Sequence, residues 1–136
     1  MAKKILVIGN NPASLKLMQD TLKKHGYEVL IAPNGPEGLR KAREEGPALV
    51  ILHVMLPGMD GLEVCHRLRM DGDGLPIVMI AEKIREADRA NGFKLGANEY
   101  LIKPVSPSKV ASVVDDLMML SSGKTGSAKR EKSIGY

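Results

Sequence analysis

A chain with one cysteine, Cys65, cannot build an intramolecular disulfide framework, and that scarcity agrees with a reducing compartment. There is no apolar run long enough to span a bilayer. Met1-Ala2-Lys3-Lys4 leads straight into a strand-like stretch, not into the apolar core of a signal peptide, so the expected location is cytoplasmic. At 136 residues the chain fits one domain with a single sizeable core and leaves no room for a second domain of ordinary size. Charge of one sign is also scarce where folding is expected. Of the net +4, three units lie beyond Gly123, where Lys124, Lys129, Arg130 and Lys132 face only Glu131. Residues 1–123 are nearly neutral, which argues against a nucleic-acid surface on the folded part. With little apolar surface to offset ordering entropy, residues 122–136 are expected to be a disordered basic tail, and residues 1–121 the folded domain.

What the chain does contain is an alternation of short apolar runs with longer amphipathic segments, the pattern of a parallel sheet covered by helices on both faces. The expected strands are Ile5 to Ile8, Tyr27 to Ile31, Ala48 to Leu52, Ile77 to Ile80 and Glu99 to Ile102. Between them fall helices from Pro12 to about Gly26, Pro36 to Glu45, Leu62 to Met70 and Ile84 to Lys94, with a last one after Ser106-Pro107. Asn11-Pro12 and Ser106-Pro107 each read as an N-cap followed by a first-turn proline. Leu15, Met18 and Leu22 recur at helical spacing, as do Val110, Val114 and Leu117. The fold class is therefore a doubly wound five-stranded α/β domain. In such sheets the functional crevice lies beyond the carboxyl ends of the strands.

Three stretches in that order carry a more specific likeness: Lys4-Ile5-Leu6-Val7-Ile8 with Gly9-Asn10-Asn11-Pro12; Leu49-Val50-Ile51-Leu52-His53-Val54-Met55-Leu56-Pro57-Gly58-Met59-Asp60-Gly61; and Phe93 with Gly96-Ala97-Asn98-Glu99-Tyr100-Leu101-Ile102-Lys103-Pro104. From about Lys3 to Met119 the chain resembles bacterial response regulator receiver domains of two-component signalling. The resemblance implies a flavodoxin-like strand order, 2-1-3-4-5. It also implies a pocket of two acidic residues, here Gly9 and Asn10, and a phosphorylated aspartate, here His53. A threonine or serine is implied at Ala81, a small residue at Glu82, a lysine at Lys103, and a nearby backbone contribution from Met55. Tyr100 matches the aromatic switch residue, Lys103-Pro104 a turn whose peptide bond is cis, and Asp60 an acid whose expected job is to cap the third helix. Only Lys103 of the pocket set is retained.

These departures have chemical consequences. Magnesium favours carboxylate and water oxygens in near-octahedral array, whereas Gly9, Asn10 and His53 supply no carboxylate, so no cofactor is expected and the magnesium site is expected to be lost. An acyl phosphate requires a carboxylate nucleophile. His53 is open to three readings: a neutral imidazole filling the vacated pocket, a phosphohistidine acceptor, or a metal ligand. Glu82 either pairs with Lys103 or points into water. The expected function is a stand-alone pseudo-receiver, not an enzyme, acting as a phosphorylation-independent interaction module. The alternatives are a phosphoryl carrier with unorthodox chemistry at His53, and a receiver sensing a small molecule or anion at Lys103. Other signalling proteins are the expected partners, meeting the surface of the fourth helix, fifth strand and last helix, with a homodimer also open and neither membrane nor nucleic acid expected. Of Met118 and Met119, one is expected to face inward and the other outward.

Overall fold

The computed structural model describes residues 2–54, 56, 59–72, 74–81, 90, 93, 94 and 96–122, the last three by backbone alone. The strands are β1 (Lys4–Ile8), β2 (Glu28–Ala32), β3 (Leu49–His53), β4 (Ile77–Ala81) and β5 (Glu99–Ile102). All pairs are parallel, in the order β2-β1-β3-β4-β5. The helices among the described residues are α1 (Pro12–Lys24), α2 (Gly35–Glu45), α3 (Gly61–Asp71) and α4 (Pro107–Ser122). Most of the expected fourth helix, of which Ala90, Phe93 and Lys94 are described and helical, together with Glu82, Met55 and the tail beyond Ser122, lies outside the described residues. Helix α4 runs one residue past the boundary expected at 121.

Side-chain alternation divides the core into two layers. Ile5, Val7, Leu49, Ile51, Val78 and Ile80 pack with Leu15, Met18 and Leu22 of α1 and Val110, Val114 and Leu117 of α4. On the opposite face Leu6, Ile8, Val50, Leu52, Ile77 and Met79 meet Leu39 of α2 and Val64, Cys65 and Leu68 of α3. The central strands are buried on both sides, which is why their sequences are unbroken apolar runs. Gly38 lets α2 lie close to β1, since a Cβ there would run into the Ile8 side chain.

Polar residues fix where the helices begin. Asn11 accepts the Ser14 N–H at 3.1 Å, and Ser106 Oγ accepts the Lys109 N–H at 3.0 Å, as both cap-plus-proline pairs led one to expect. Asp60 accepts the Leu62 N–H at 2.7 Å and is the cap of α3; each such cap contributes about 1 kcal/mol. Asn34 caps α2 by accepting from Glu37 N–H at 2.9 Å, so the helix opens at Gly35, one residue before the proline from which the sequence reading began it. Strands β2 and β3 are likewise shifted one residue later than expected, to Glu28–Ala32 and Leu49–His53, because pairing with neighbours, not apolar composition, ends them.

Candidate functional site

Parallel register assembles the site at the carboxyl edge of the sheet. Ile8 pairs with Leu52, so Gly9 follows β1 beside His53, the last residue of β3. His53 pairs with Ile80, Ala81 with Ile102, and Lys103 follows β5 directly. Main-chain bonds extend this edge past the strands: Gly9 N–H to Ala32 O at 3.0 Å, Val54 N–H to Ile80 O at 2.9 Å, and Lys103 N–H to Ala81 O at 2.7 Å. The expected convergence of Gly9, Asn10, His53, Ala81 and Lys103 is therefore present in the backbone.

Their side chains differ in setting. Asn10 is exposed, His53 and Lys103 half-buried, and Ala81 buried. Ala81 belongs to the layer under α2 and α3 together with Tyr100, which turns inward and is 4 % exposed. The Tyr100 ring stands 6.4 Å from that of Phe93, tilted by 46°, within range of a favourable aromatic pair. The Lys103-Pro104 bond is cis, as the resemblance implied.

The His53 imidazole lies against Gly9. A Cβ built on Gly9 would stand 2.8 Å from His53 Cδ2 and 3.2 Å from its Nε2. Across the chain from the ring, Gly61 donates its N–H to Val54 O at 2.8 Å, and a Cβ on Gly61 would strike the His53 carbonyl oxygen. Among the described residues no group of three or more His, Cys, Asp or Glu is placed to hold a metal ion. His25 is the C-cap of α1, and His66 is an exposed residue of α3.

Two polar networks escaped the sequence reading. Asp115 of α4 takes the Tyr27 hydroxyl on Oδ1 at 2.6 Å, while His25 Nδ1 lies 2.8 Å from its Oδ2. Burial, followed by this hydrogen bond and the charge of Asp115, pushes the Tyr27 phenol well above its usual value. Arg69 of α3 donates to Gly96 O from Nε and Nη2, at 3.1 and 2.7 Å, and to Leu75 O at 2.6 Å. Asn98 Oδ1 accepts from both Arg69 and the Ile77 N–H, which ties the entrances of β4 and β5 to α3. No local motif signals either network, because each joins residues far apart along the chain.

Asp115 also borders an open cleft. With Met118 and Met119 it lines this space of about 550 Å³ shared with Ala2, Lys3, Gly26 and Tyr27, at the amino ends of β1 and β2. Met118 is 6 % exposed and Met119 71 %, so one faces in and one out.

A comparison with known proteins follows this geometry closely. The model of the response regulator receiver domain matches residues 5–115. The chain is 42 % identical over 118 residues to the alkaline phosphatase synthesis transcriptional regulatory protein PhoP of Bacillus subtilis, covering 87 % of this chain and 49 % of that protein. To the probable transcriptional regulator ycf27 of Pyropia yezoensis it is 37 % identical over 116 residues, covering 85 % and 47 %. The chain spans about half the length of these curated relatives. Among solved structures, a CheY-like receiver domain protein from Methanospirillum hungatei JF-1 superposes with a TM-score of 0.86 at 26 % identity, covering 90 % of this chain and 98 % of that one. Vibrio cholerae chemotaxis protein CheY4 superposes at 0.81 with 27 % identity, covering 86 % and 99 %. With its family match, its strand order and its edge site in agreement, this chain belongs to the response regulator receiver domain family.

Proposed function

We propose that this receiver domain is a pseudo-receiver, a phosphorylation-independent protein-interaction module of two-component signal transduction with no enzymatic activity. The observation that carries the reading is the imidazole of His53 resting on Gly9 at the carboxyl ends of β1 and β3, where the resemblance puts the aspartate and an acidic neighbour. A ring nitrogen cannot form an acyl phosphate, and a glycine offers no ligand. The donors present do not fit magnesium: Asn10 gives a neutral amide oxygen, and His53 a nitrogen that this hard cation does not favour. Without the cation, charge developing on a transferring phosphoryl group has, among the described pocket residues, Lys103 to meet it.

The partners in this reading are other signalling proteins in the cytoplasm. No helix among the described residues is long and apolar enough to cross a membrane. The near-neutral charge of residues 1–123 disfavours nucleic acid. Incubation with a small-molecule phosphodonor and magnesium, followed by intact-mass measurement, tests the central claim. The expected result is an unchanged mass. A stable gain of one phosphoryl group that disappears in His53→Ala would overturn it.

A further inference from the structure

Gly9 has no conformational reason to be glycine. Among the described residues the glycines of positive φ are Gly26, Gly46, Gly74 and Gly96, so the backbone at Gly9 is one that other residues adopt. What stands in the way of a side chain is the neighbouring ring. A Cβ at Gly9 would meet His53 Cδ2 at 2.8 Å, a separation real Cβ atoms do not show, and Cγ and Nε2 at 3.2 Å each. The ring is not the flexible end of a long side chain. It sits one bond from the Cβ of a residue whose main chain is held in the ladder with β4 and packed beneath Gly61. Moving it therefore means changing the His53 rotamer or shifting the strand end.

We infer that Gly9 and His53 are an interlocking pair, in which the imidazole is a plug built into the fold that closes the crevice between the ends of β1 and β3. This deepens the pseudo-receiver reading and rests on it for its functional meaning. The pair makes the closed state hard to reverse: a side chain restored at Gly9 meets the ring, and a shorter residue at His53 leaves a gap over a glycine. It also holds the ends of β1 and β3, and with them the start of α1, in one arrangement. A partner thus meets a crevice edge of constant shape, whatever the supply of phosphodonor.

A double-mutant cycle on the full chain tests the pair through stability alone. Gly9→Ala, His53→Ala and the double variant are unfolded in urea beside the parent. Gly9→Ala should raise the unfolding constant of the parent, and should raise it less, or not at all, in the His53→Ala background, with a coupling of at least about threefold, as for residues in contact. A coupling smaller than about threefold would overturn the interlock. If His53→Ala does not fold, His53→Asn takes its place in the same cycle. An independent reading comes from carbon-edited spectra of the His53 ring. Its resonances should move in Gly9→Ala, and unmoved resonances would count against the pair. Because neither measurement involves phosphate, a phosphorylated parent would defeat the pseudo-receiver reading and leave the interlock standing, while additive effects would do the reverse.

Discussion

His53→Asp supplies a carboxylate at the end of β3 but leaves Gly9 bare, Asn10 neutral and Ala81 without a hydroxyl. Groups that act as a unit lose far more than their separate shares when one is missing, so restoring one of several returns little. The expected outcome is negligible labelling of His53→Asp by a radiolabelled phosphodonor with magnesium. The combination of Gly9→Asp, Asn10→Asp, His53→Asp, Ala81→Thr and Glu82→Ala should label measurably faster. Gly9→Asp alone should do worse than the parent in stability, since its Cβ meets the imidazole. Labelling of the single His53→Asp variant at a rate matching the combination would show that the carboxylate was the only missing part.

At the scale of elements, the tie between α4 and the turn from α1 into β2 runs through one carboxylate. Asp115 receives the Tyr27 hydroxyl and faces His25, the C-cap of α1. A folded-state phenol value raised above the unfolded one contributes stability that is fully present below the unfolded value. That contribution is lost as pH rises through the folded one. Tyr27 follows that sign, its proton being held by burial and by Asp115. Tyrosinate absorbance should therefore show one phenol titrating later in the parent than in Asp115→Asn, and Tyr27→Phe should remove that late component. Identical titrations of parent and Asp115→Asn would mean that the carboxylate does not hold the proton. Helix starts carry a comparable logic: Asn11, Asn34, Asp60 and Ser106 each accept a first-turn N–H, and together they set where the helices can begin.

For the whole molecule, the buried residues of both core layers fall, among the described residues, between Ile5 and Met118. Removing residues 124–136 should leave the urea midpoint and partner capture unchanged. Met119→Lys, at an exposed position on the rim of the Tyr27–Asp115 cleft, should weaken capture without changing the midpoint. Met118→Lys should instead lower stability, because it places a charge in the layer beneath α4. A pull-down of signalling partners with the three proteins side by side is the check. Capture lost on truncation and indifferent to Met119→Lys would place the interaction at the tail.

Local chemistry determined a good part of this protein in advance. Unbroken apolar runs such as Val50-Ile51-Leu52 mark strands buried on both faces, and cap-plus-proline pairs at Asn11 and Ser106 mark helix starts, because both effects act within a few residues. The motif around His53 and the Lys103-Pro104 turn pointed to the family and to the edge where its site lies. Local signals left the cap at Asn34 unnoticed beside the more conspicuous Pro36. Tertiary structure decided what rests on contacts between distant residues: the Arg69–Asn98 bracket, the engagement of Asp115 with Tyr27, and the inward turn of Met118. Above all it decided that Gly9 and His53 are one feature. In the sequence they read as two separate losses, and only the parallel pairing of β1 with β3 sets the ring against the glycine, where their volumes exclude each other.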